Sequence, residues 1–120
     1  MARSPEEFSV ESIRFLGEQD GVPERELKAR LCNAFAQMNI RCRAYLVRAD
    51  FGDPGTFNVA LCVRTELSAS TAVKVTVNRV FSEMFRTEEH LDLLILSDDQ
   101  EREVQAVAKP FLSSLASQTL

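Results

Sequence analysis

The sequence predicts an α+β domain, a ferredoxin-like βαββαβ two-layer sandwich with a four-stranded antiparallel sheet and an added C-terminal helix. Three observations lead there. Apolar residues step by three and four along 23–38 and 68–85, and by two along 10–16, 41–49 and 57–64. In chain order these stretches, with a last apolar run at 91–96, read strand, helix, strand, strand, helix, strand. Finally, 120 residues at 45% hydrophobic and 27% charged supply one core between two layers and no second domain.

Each element has its own warrant. Ser4-Pro5-Glu6-Glu7 has capping-box spacing with proline at the first helical position, so 1–9 is expected to hold a short helical turn. Val10 to Leu16 alternates in part and is closed by Gly17 and a polar run, which reads as the first strand with Ile13 and Phe15 inward. From Pro23, Leu27, Leu31, Ala34, Phe35 and Met38 line one face while Glu24, Arg25, Lys28 and Arg30 take the other, and Asn39 is suited to end this helix.

Cys42, Ala44 and Leu46 then alternate with Arg41, Arg43, Tyr45 and Val47. After turn formers at 50–56, Phe57, Val59, Leu61 and Val63 alternate with Asn58, Ala60, Cys62 and Arg64. The two strands form a hairpin, and joining even positions of one to odd positions of the other puts the strongly apolar side chains on one face. Residues 68–85 fit both periods, but eighteen residues without glycine or proline favour a helix capped by Ser68 or Ser70. Leu91-Asp92-Leu93-Leu94-Ile95-Leu96 reads as a strand buried on both faces or covered by a partner. Ser97-Asp98-Asp99-Gln100 repeats the capping-box spacing and opens a helix through Lys109, with Val104, Val107 and Ala108 as its apolar stripe. Phe111-Leu112 is expected to pack back on the core, closing a domain over 1–112, with 113–120 a frayed tail.

Charge and cysteine narrow the function classes. The net charge is −4, but residues 1–50 are balanced, and the acidic surplus lies at 83–103, where eight carboxylates face Arg86 and Arg102. This end repels phosphate, which argues against nucleic acid. Cys32, Cys42 and Cys62 form no C-x-x-C pair and fall in apolar patterns, as reduced packing residues of a cytoplasmic protein do. The start lacks a signal peptide's apolar run, and no window is long and apolar enough to cross a bilayer. The lone His90 cannot anchor a multi-histidine metal site, and Glu88, Glu89 and Asp92 lack a calcium-loop spacing. No glycine pattern cradles phosphate, and no cofactor is implied.

In a two-layer sandwich the sheet face away from the helices is free. It would carry Arg14, Arg41, Arg43, Tyr45 and Arg64, fixed guanidinium forks around one aromatic, as a partner-binding face, while Leu94 and Leu96 would form a docking strand.

Ile13-Arg14-Phe15-Leu16-Gly17, the helix containing Glu26-Leu27, Ala44-Tyr45-Leu46-Val47, Leu91-Asp92-Leu93-Leu94-Ile95-Leu96 and Lys109-Pro110-Phe111-Leu112 resemble the C-terminal domain of the enhanced-serine-sensitivity protein SseB family, over residues 12–112. Members carry a further domain ahead of this one, and their closing Pro-Phe-aromatic reads Pro110-Phe111-Leu112 here. The resemblance implies a bacterial cytoplasmic protein with a serine-linked phenotype and carries over no catalytic residue.

The expectation is therefore a noncatalytic interaction or regulatory module. It acts through its free sheet face or an edge strand, on a second copy or an acidic protein partner. Two alternatives stay open: an ACT-like amino-acid sensor, with its ligand at the Gly17–Gly21 loop before the first helix, and a small acidic secretion chaperone.

Overall fold

The computed structural model describes residues 13–52, 58–85 and 90–115; the capped turn expected at Ser4–Glu7, the start of the first strand, the hairpin tip, Glu88 and Glu89, and the last five residues lie outside them. The elements are β1 (Arg14–Glu18), α1 (Val22–Gln37), β2 (Cys42–Asp50), β3 (Asn58–Thr65), a 3-10 turn (Leu67–Ala69) running into α2 (Ser70–Met84), β4 (Asp92–Ile95), α3 (Asp98–Gln105) and β5 (Leu112–Ser113).

α1 forms where the apolar period of three and four is clearest, and it buries Leu27, Leu31, Ala34 and Phe35. Its end is a Schellman turn. Asn39 takes a left-handed conformation (φ 56°), its N–H donates to the Ala36 carbonyl, and the Ile40 N–H donates to Phe35 O at 2.8 Å. Ile40 and Phe35 then share the core, which is the hydrophobic contact that fixes such a turn.

In the β2–β3 hairpin Ala44 lies opposite Val63 and Leu46 opposite Leu61, the even-with-odd register that gathers the strongly apolar side chains on one face. α2 keeps the helical period, burying Val73, Thr76, Val77 and Val80 and leaving Val75 outside. Neither serine caps it: the Ser70 hydroxyl donates back to the Leu67 carbonyl at 3.0 Å, and the 3-10 turn starts the helix instead.

The sheet departs from the expected arrangement in two ways. Its order is β1-β2-β3-β4, with β5 also paired to β2, and β4 runs parallel to β3 rather than antiparallel. The chain between β3 and β4 contains all of α2, the kind of crossover that returns a strand parallel to its predecessor. The second departure concerns layers. α1 and α2 bury Cys42, Ala44, Leu46, Leu61 and Val63, whereas Tyr45, Val47, Ala49, Ala60 and Cys62 point the other way and are buried with Val104 and Ala108. The face expected to be free is thus closed by α3, and the sheet has helices on both sides.

Smaller corrections follow from this second core. Ile13 and Phe15 pack there, not beneath α1 and α2, and β1 continues through Gly17 with a register shift between Phe15 and Gly17. α3 stops at Gln105, because the Val107 and Ala108 N–H groups both turn back to the Val104 carbonyl. That turn buries Ala108 and leaves Val107 exposed. Phe111 and Leu112 return to the first core as expected, but Ser113 and Ser114 are not frayed. Ser113 pairs with Arg43, and the Cys42 N–H donates to the Ser114 hydroxyl at 3.0 Å.

Candidate functional site: a clamped sheet face and the β4 edge

The five residues expected on one binding face separate into three places. Arg43, Tyr45 and Arg64 lie beneath or beside α3 and are taken up in holding it. Glu101, 5% exposed, points from α3 toward the sheet and accepts two hydrogen bonds from Arg43, at 2.6 and 2.9 Å, and one from the Tyr45 hydroxyl at 2.6 Å. Gln105, one turn on, donates to the same hydroxyl at 3.0 Å. Arg64 donates to the Leu96 carbonyl at 2.9 Å and pairs with Asp98 in the first turn of α3. Arg43 beside it holds the Glu101 carboxyl below its ordinary range, while burial and Glu101 push the Tyr45 phenol up to about 12.

Ser97 starts α3 with a complete capping box, its hydroxyl accepting from the Gln100 N–H and the Gln100 side chain accepting from the Ser97 N–H. Small residues beneath, Ala49, Ala60 and Cys62, let the helix approach closely. Tyr45 is wholly buried, so this part of the expected partner face is interior.

Arg14 sits on the outer strand and pairs with Asp50 at 3.1 Å. Beside it Ile13, Phe15, Leu16, Glu103 and Ala106 line an open groove of about 480 Å³ between β1 and α3. Arg41 is at the far end of the molecule, in a groove of about 400 Å³ with Met38, Asn39, Ile40 and Glu66. No single basic surface joins the five.

The loop expected to take an amino acid holds charges of both signs. Asp20 pairs with Arg25 and Lys28, and Glu24 in the first turn of α1 accepts from Gln19.

The cysteines are packing residues. Burial pushes the Cys42 thiol up to about 11 and Cys62 to about 12, and half-buried Cys32 is raised for the same reason. His90 lies 2.7 Å from Asp92, whose second carboxyl oxygen is buried without a hydrogen-bond partner. Among the described residues no group of three or more His, Cys, Asp or Glu is arranged to hold a metal ion.

The expected docking strand divides. Leu96 is buried in the second core, and its N–H donates to Val63 O at 2.8 Å, which continues the β3 ladder. Leu94 is half-buried against the same core. Val63 lies opposite Ile95, so in a parallel pair Leu94 and Leu96 turn their peptide groups toward β3 while Leu93 and Ile95 turn theirs outward. Among the described residues β4 pairs with β3 alone, and this outward edge ends the sheet. The outward pair was missed in the sequence because the direction of a peptide group depends on which neighbour the strand finds, and local alternation does not carry that.

No helix among the described residues is long and apolar enough to cross a membrane. Neither a protein-family model nor a curated protein nor a solved structure matches the chain.

Proposed function

We propose that the protein is a noncatalytic interaction module that adds an extended segment of another protein to the edge of β4. The observation that carries this reading is the outward pair of peptide groups at Leu93 and Ile95, on a strand of consecutive aliphatic residues that ends the sheet. Main-chain hydrogen bonds would supply the affinity. Contacts above and below the strand would supply selectivity, because Leu93 and Ile95 belong to the first core and Leu94 to the second. The resemblance to the SseB family offers serine sensitivity as the setting for such a module.

Selection of phage-displayed random peptides on the immobilised protein tests the reading. Ile95→Pro removes an outward N–H and no bond of the β3 ladder, but it also removes Ile95 from the first core, so far-ultraviolet circular dichroism first checks that the variant with the blocked edge is folded. Enriched peptides are expected to shift the amide resonances of Leu93 and Ile95 and to lose binding to Ile95→Pro. Peptides that bind both proteins equally, or a library that enriches nothing, would overturn the proposal.

A further inference from the structure

We infer that the groove between the end of α1 and the start of α2 is a self-complementary surface, at which two copies of this chain associate about a two-fold axis with Arg41 of each copy against Glu66 of the other. The inference uses no residue of β4 and stands apart from the docking edge. Cys42 lies opposite Thr65 at the end of the hairpin, so Arg41 and Glu66 are the next residues beyond that pair. The Thr65 hydroxyl donates to the Arg41 carbonyl at 2.8 Å and holds the two backbones together there. Both side chains are exposed and line the groove of about 400 Å³. Although opposite in charge they form no ion pair, and among the described residues neither the guanidinium nor the carboxylate has a hydrogen-bond partner.

Beside these charges the surface is apolar. Met38, Ala69 and Ala72 line the same groove. Met38 is 54% exposed, Leu67 in the 3-10 turn next to Glu66 is 89% exposed, and Val75, one helical turn beyond Ala72 on α2, is 62% exposed. These are three of the six large hydrophobic side chains left exposed among the described residues, and all three fall on or beside one groove. Single exposed apolar residues need no explanation, but several gathered at one groove mark a surface that is covered by something else.

The two unpaired charges select the occupant. In a two-fold interface a residue i of one copy meets j of the other, and j meets i. With the axis passing between Arg41 and Glu66, a second copy answers both charges with opposite ones and lays its apolar side chains against the same groove. A partner of one sign, whether nucleic acid or a basic or acidic segment, meets one of the two with a like charge. Within one molecule an exposed pair of this kind contributes little, because water screens it. Between copies the apolar contacts exclude that water and strengthen both pairs.

Sedimentation equilibrium over a series of protein concentrations tests this, and the wild type is expected to dimerise. Arg41→Glu sets carboxylates against carboxylates across the axis, and Glu66→Arg sets guanidinium groups together, so each variant alone should associate about tenfold more weakly. Both positions are exposed, so neither exchange disturbs a core. An equimolar mixture of the two variants restores opposite charges at both contacts and should recover the wild-type affinity as a heterodimer. That recovery separates a two-fold pairing of Arg41 with Glu66 from a general effect of net charge. A wild type that stays monomeric at several hundred micromolar would overturn the proposal. So would variants that dimerise like the wild type, or a mixture that associates no better than either variant alone.

Discussion

Glu101 shows how one side chain decides what a surface is for. Arg43 and Tyr45 alternate with the apolar residues of β2 and read from sequence as a solvent-facing pair, yet both hydrogen-bond to one carboxylate fifty-odd positions away. The signal was present as complementary charge, since Arg43 and Arg64 meet Glu101 and Asp98, three residues apart on a helix where Glu101 shares the sheet-facing side with Val104. It was illegible as a contact because nothing local says that α3 crosses the sheet.

The exchange has a consequence for acid stability. Glu101 has a folded pKa below its ordinary 4.5, so its contribution is complete above that value and is lost as pH falls through the lower, folded one. Glu101→Gln removes the charge from the Arg43 contact and is expected to cost about 2 kcal/mol at neutral pH. Denaturant unfolding across acidic pH checks it: the difference between the proteins should shrink as pH falls, and a constant difference would assign the loss to packing.

At the scale of elements, what was legible is what depends on neighbours in sequence. The Schellman turn at Asn39, the capping box at Ser97 and the hairpin register all follow from residues close along the chain or from a simple alternation. The parallel placement of β4 and the covering of the second face depend on tertiary choices, and they were not legible. The first turn of α3 carries Asp98, Asp99 and Glu101, which favour a helix N-terminus, so this eight-residue helix is set by local chemistry before it docks. Ser97→Ala should therefore cost about 1 kcal/mol. Thermal melts check the cost, and because Arg64 holds both Leu96 and Asp98 the loss should appear as cooperative unfolding rather than as fraying of α3 alone. A separate early transition would refute the coupling.

For the whole molecule, the two cores on opposite sides of one sheet mean that each central strand is buried on both faces. Tyr45, the only tyrosine in a chain without tryptophan, sits in the second core and reports on its opening. Its phenol is pushed up to about 12, so raising the pH should leave it protonated past the ordinary value near 10 until the fold itself gives way. The near-ultraviolet phenolate signal should then rise in one step, together with the loss of far-ultraviolet circular dichroism. Ionisation near 10 in a folded protein would show that α3 opens on its own.

One border of β2 carries two strands end to end, β1 along Val47–Asp50 and β5 along Arg43–Ala44. During synthesis the first of these neighbours is already outside the ribosome when β2 emerges, whereas the second follows some seventy positions later. The amino end of β2 must wait with its peptide groups unpaired while β3, α2, β4 and α3 assemble around it. Closing that distant contact late costs loop entropy that local pairing does not. The sheet is thus sewn shut by its final short stitch, and the interval before it is when a misplaced strand has its best opportunity to take β5's place.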